Sequence, residues 1–85
     1  MANITKRKFE AFKLLLDNRS YSETATVMGI SSPRVRQLCE SVARFLSKND
    51  PYMRIVFGYG CFVGIKNNHG AVSEAFDRLT KKMEF

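Results

Sequence analysis

The sequence is poor in the residues that catalysis and metal binding use. Its 85 residues hold one histidine and two cysteines. Cys39, Cys61 and His69 are too few ligands for a structural zinc site, and two lone cysteines do not make the disulfide framework of a small secreted domain. No paired carboxylates, no phosphate-cradling glycine loop and no metal cluster can be picked out, so neither catalytic residues nor a cofactor are expected and the chain reads as a non-enzyme. Gly58-Tyr59-Gly60 lacks the spacing of a nucleotide fingerprint. Long apolar runs are missing too: Lys13 and Asp17 bracket the longest early one. That argues against a membrane span or a signal peptide and makes a reducing cytoplasm the expected location. Acidic residues are scarce, 8 against 14 lysines and arginines.

What is present is a small basic globular chain. With 45% apolar and 26% charged residues it has enough oil for a core, and its net charge of +6 suits an anionic polymer. At this size a lone monomer buries a modest fraction of its surface, so pairing with a second copy is expected.

The N-terminal half is punctuated for three helices. Met1 to Ile4 reads as a loose arm, and Thr5 as the cap of a helix with Phe9, Phe12, Leu15 and Leu16 on its apolar side. Lys6, Arg7 and Lys8 crowd its first turn, where the helix dipole disfavours cations; as contacts to DNA phosphates they would offset that cost. Asn18 suits a left-handed stop. Ser20 and Glu23 have capping-box spacing for a short second helix, whose inner face takes Ala25 and either Met28 or Val27. Gly29 permits the positive φ of a sharp turn, and Ile30 plugs the junction. Ser31 or Ser32 then caps a third helix, Ser32 to Leu46, with Pro33 in its first turn.

Steps of about 100° per residue sort that third helix into two faces. Val35, Leu38, Cys39, Val42, Phe45 and Leu46 face inward. Pro33, Arg36, Gln37, Glu40 and Arg44 face outward, with Arg34 at the flank. Arginine can present two donors to guanine, and glutamine can pair in two places with adenine, which makes Arg36 and Gln37 the preferred base readers. Ser32, Pro33 and Glu40 complete the base-reading set. Arg34 and Arg44, with the Ser31 hydroxyl at the helix N-terminus, suit phosphates.

Asn49-Asp50-Pro51 divides the chain into residues 1–48, a helix-turn-helix unit, and residues 49–85, a core lid or dimerisation segment. Met53, Ile55, Phe57, Tyr59, Cys61, Val63 and Ile65 fall on every second position, which predicts two strands turning near Gly58 to Gly60. The competing pattern is a helix capped by Asp50 and begun by Pro51, which three glycines would each weaken by about 1 kcal/mol. Lys66 to Gly70 reads as a turn-rich loop with His69 on the surface. From Ala71 the helical period returns, with Val72, Ala75 or Phe76, Leu79 and Met83 in one stripe. The expected fold is therefore mainly α: a three-helix helix-turn-helix domain, a short β-ribbon and a C-terminal amphipathic helix.

The stretch from Leu15 to Leu46 resembles the helix-turn-helix of region 4 of bacterial sigma factors and of the related LuxR-type regulators. Glu23, Ala25, Gly29, Ile30, Ser31, Val35, Arg36, Gln37 and Leu38 carry the match. Thr24 departs from it, standing where isoleucine is common, and Ser32 and Pro33 replace a usual charged pair. The resemblance implies that Ser32, Pro33, Arg36 and Gln37, at the exposed start of the third helix, read bases. GIKNNHGAVSEAFDRLTKK is similar to the recognition segment of small regulators of fimbrial operons and of KorA-type plasmid repressors, which are compact dimers; this leaves open a second helix-turn-helix within residues 51–83.

The expected function is a sequence-specific transcription regulator of phage or plasmid type, a homodimer on double-stranded DNA carrying an inverted repeat. The alternative is a protein-binding module of a phage or plasmid factor, with RNA polymerase or a host regulator as partner. RNA is a weaker partner, because the stacking aromatics of single-strand readers are not evident.

Overall fold

A computed structural model describes residues 5–82, so the N-terminal arm and the Met83 end of the last stripe lie outside the described residues. Thr5 accepts from the Lys8 amide and starts α1, Lys6–Leu16. Asn18 stops it with φ 67°, and the amides of Asn18 and Arg19 return to the carbonyls of Leu15 and Leu14, a Schellman closure. Helix α2, Tyr21–Met28, opens with the Ser20–Glu23 capping box, both bonds 3.1 Å long. Gly29 closes it at φ 69°, and the Ile30 amide reaches back 3.1 Å to the Ala25 carbonyl. Ser31 then caps α3, Ser32–Asn49, which continues three residues past the expected end at Leu46.

The second half corrects the expected ribbon. Among the described residues there is no strand; Asp50 caps α4, Pro51–Val56, through the Tyr52 amide at 3.0 Å, and a 3-10 turn at Phe57–Tyr59 leads into α5, Cys61–Asn67. The alternation was misleading because the glycines punctuate helices instead of loosening a strand. Gly60 sits between two helical segments at φ 115°, ψ 161°, a conformation side chains resist. Gly64 lies where a Cβ would come within 2.7 Å of the Val56 carbonyl oxygen and 2.8 Å of the Phe57 ring, so its missing side chain lets α5 close on α4. The buried set is Met53, Val56, Cys61 and Ile65, at helical spacing, whereas Ile55 and Val63 of the supposed strand face are exposed.

The expected loop at Lys66 to Gly70 is likewise helical. Helix α6, His69–Lys82, follows α5 after Asn68 alone, with none of the three-residue turn that separates α2 from α3. His69 is exposed as a residue, yet its Nε2 hydrogen-bonds the Leu16 carbonyl and ties the start of α6 to the end of α1.

One hydrophobic cluster runs through both halves of the chain. Phe12, fully buried, lies at its centre: its ring meets Phe57 edge-on at 6.3 Å and Phe76 at 5.1 Å, and Phe76 also takes the edge of Phe9 at 5.1 Å. Val72, Ala75, Phe76 and Leu79 give α6 the expected buried stripe. In α2 the inner face is Thr24 and Ala25 with half-buried Met28, while Val27 is exposed. None of the described helices is long and apolar enough to cross a membrane.

Candidate nucleic-acid interface

Helix α3 is gripped from one side. Val35, Leu38, Cys39, Val42, Ala43 and Leu46 are buried and Phe45 is partly covered, which fixes the rotation of the helix about its axis. Pro33, Arg34, Arg36, Gln37 and Arg44 are consequently exposed, and Ser32 and Glu40 are half-covered. The charged face is thus held by the core beneath it, and only its side-chain ends are free to move.

The outward side chains pair along the helix. Arg34 Nη1 donates to Gln37 Oε1 at 3.3 Å, and Arg36 Nε donates to Glu40 Oε2 at 3.3 Å. Such exposed pairs contribute little to stability, a few tenths of a kcal/mol, so they yield readily to a stronger partner. The Arg36–Glu40 pair also means that Glu40 reduces the positive field beside its neighbour. Ser31, placed among the phosphate contacts, spends its oxygen on the Arg34 amide at 3.3 Å, and its hydroxyl proton remains available to donate.

The N-terminal cations divide. Lys8 joins Arg34, Gln37, Ser41 and Arg44 around one cleft of about 360 Å³ on the side of α3 nearest α1. Arg7 instead donates from Nη2 to the Met28 carbonyl at 3.3 Å, where the end of α2 has spare acceptors, so it acts as a clip between two helices. Lys6 is exposed at the first turn of α1.

Sequence reasoning did not single out Lys48 and Arg54. Both line a second cleft, of about 450 Å³, with Glu40 and Arg44 along the C-terminal half of α3, over a floor that includes Ala43, Phe57 and Cys61. A strand through Arg54 hid this; with α4 helical, the residue turns towards α3. Nor did it anticipate exposed aromatic rings: Tyr52 is 53% and Tyr59 89% exposed, with Ile55 between them in sequence at 74%.

The groups beneath this surface are neutral. Burial, then the nearby Glu40 charge, push the Cys39 thiol from the usual 9.0 up to about 12. The Cys61 thiol is raised further by burial, Cys39 and Glu40, and its Sγ lies 3.6 Å from the Cys39 carbonyl. Tyr21, whose ring lies 5.2 Å from Phe62, has its hydroxyl pushed up to about 12, first by burial and then by these same groups. Among the described residues no group of three or more His, Cys, Asp or Glu converges.

No family model, curated protein or solved structure matches the chain.

Proposed function

We propose that the chain is a sequence-specific double-stranded DNA-binding transcription regulator whose α3 enters the major groove. The observation that carries this reading is the asymmetry of α3: one side is locked into the core, and the other offers arginine and glutamine ends to solvent after a tight turn and a serine cap. An α-helix fits the major groove, where those two residue types pair with guanine and adenine edges. Arg36 and Gln37 are the base readers, with Ser32, Pro33 and Glu40 beside them. Lys6, Lys8, Ser31, Arg34 and Arg44 supply phosphate contacts; Arg7 contributes only if it gives up its bond to Met28.

The resemblance of residues 15–46 to sigma region 4 and LuxR-type regulators supports the same reading. Homodimerisation on an inverted repeat belongs to it, because two recognition helices related by a twofold reach half-sites about 10 base pairs apart. Tyr52, Ile55 and Tyr59 are exposed side chains with apolar area available for pairing. Selection of bound fragments from random DNA is the test. A recovered motif with twofold symmetry is expected, and recovery of no motif overturns the reading.

A second reading, a protein-binding module engaging RNA polymerase or a host regulator, is favoured by the uncharged Ser32-Pro33 start and by the internal pairing of Arg34 with Gln37 and Arg36 with Glu40. Salt separates the two: a DNA binder weakens steeply as salt rises, whereas a protein-binding module shows no duplex affinity to titrate.

A further inference from the structure

From the geometry we infer that Arg36 and Glu40 act as one reading unit for G·C base pairs: the Arg36 guanidinium takes a guanine, and the Glu40 carboxylate accepts from a cytosine amino group no more than one base step away. The inference rests on the DNA-binding reading and deepens it, because it names the bases that the middle of α3 selects.

Glu40 stands where an acid is least expected. It is the one acidic residue of α3, among Arg34, Arg36, Arg44 and Lys48. Helical steps of about 100° set Arg36, Glu40 and Arg44 in a row, each about 40° from the last, with Pro33 about 20° and Gln37 about 60° from Glu40. The carboxylate therefore lies along the middle of the outward face. It borders both the cleft that holds Lys8 and Arg34 and the cleft that holds Tyr21, Ser32 and Pro33. A negative charge facing a phosphate backbone repels it, so here it lowers affinity for every sequence unless a base supplies a hydrogen bond in return. Major-groove edges carry two such donors, the amino groups of cytosine and of adenine.

The bond to Arg36 selects between them. Glu40 Oε2 accepts from Arg36 Nε at 3.3 Å, a spacing close to the roughly 3.4 Å rise between stacked bases. That bond uses the inner N–H of the guanidinium. Nη1 and Nη2, which have no partner among the described residues, are left to span guanine O6 and N7. Glu40 Oε1 is likewise without a partner there. A G·C pair sets the cytosine amino group beside guanine O6 on the same groove edge, so a carboxylate tied to the guanine reader meets cytosine first.

The pair is also placed to stay together. The buried side of α3 fixes the direction in which both side chains leave the helix. Glu40 is the more covered partner, its side chain 35% exposed against 67% for Arg36, and Tyr21 of α2 shares their cleft of about 390 Å³. In water their bond is weak; in the groove each partner has a base to hold it, and the bonds reinforce one another.

The test selects bound fragments from random duplex DNA with the full chain, with Arg36→Ala, with Glu40→Ala and with Glu40→Gln, and thermal melting checks that each variant is folded. The wild-type motif is expected to hold a G·C pair at the position that Arg36→Ala relaxes. Both Glu40 variants should relax that pair or its neighbour, with discrimination there falling about tenfold. Their affinity for a scrambled duplex should rise, because the repelling charge has gone. A Glu40→Ala motif identical to the wild-type one, or relaxed only more than one base pair from the Arg36 position, overturns the reading unit while leaving DNA binding standing. An A·T pair at the Arg36 position does the same. Recovery of no motif by the wild-type chain overturns the DNA-binding reading itself, and this inference with it.

Discussion

Thr24 is the residue whose chemistry fits its surroundings least. It is fully buried, and its Oγ1 has no hydrogen-bond partner among the described residues. A buried hydroxyl without a partner costs about 1–3 kcal/mol, so Thr24→Val, which keeps the shape, is expected to raise stability by about 1 kcal/mol in urea melts. Gly64 predicts the opposite of the usual rule. Gly→Ala inside a helix gains about 1 kcal/mol from propensity, but here the new methyl meets the Val56 carbonyl oxygen at 2.7 Å and the Phe57 ring at 2.8 Å. A backbone oxygen cannot swing away, so a net loss of about 1–3 kcal/mol is expected for Gly64→Ala by the same measurement. The thiols give a pH dependence. Cys39 and Tyr21 titrate near 12 when folded, above their ordinary values of 9.0 and 10.0, and Cys61 is raised in the same direction. Because the unfolded chain loses these protons first, their contribution is fully present below about pH 9 and is lost as pH rises towards 12. Melting temperature should therefore fall above pH 9, and a thiol reagent at pH 8 should label neither cysteine before unfolding.

At the scale of the element, punctuation was legible and periodicity less so. Ser20–Glu23, Asn18, Gly29 and Ser31 act locally, within four residues, and each does what its residue type indicates. Removing one such interaction tests this: Ser20→Ala removes the hydroxyl that accepts from the Glu23 amide, leaves the Ser20 backbone amide its bond to Glu23, and should cost about 1 kcal/mol in a urea melt. The faces of α1, α3 and α6 were legible because each is long enough for its apolar stripe to repeat. Helices α4 and α5 have six and seven residues, and a 3-10 turn between them shifts the phase. Over so short a span a helical pattern interrupted by glycine imitates alternation. What Gly64 contributes is a close approach to Phe57 and Val56, a tertiary fact with no local signature. The same misreading concealed Arg54, whereas Arg36, Gln37 and Arg44 were found on the exposed side of α3 because a strong amphipathic helix declares both of its faces.

For the whole molecule, the radius of gyration of 11.7 Å is close to the roughly 12 Å expected of a compact domain of this length. The core cluster joins α1 and α3 to α4, α5 and α6, so the outward face of α3 is braced by residues from both halves. Phe12 touches Phe57 and Phe76 and links those halves; Phe12→Ala should cost about 3–5 kcal/mol, enough to unfold a large share of a chain this small. A braced face that reads DNA should lose discrimination when one reader is removed, without losing the fold. The decisive measurement is affinity for a duplex selected from a random pool, set against a scrambled duplex at the same salt, for the wild-type chain and for Arg36→Ala. The account predicts a loss of about 1–3 kcal/mol on the selected duplex, with relaxed preference at one base position and little change on the scrambled one. Unchanged affinity and unchanged selectivity in Arg36→Ala would contradict it.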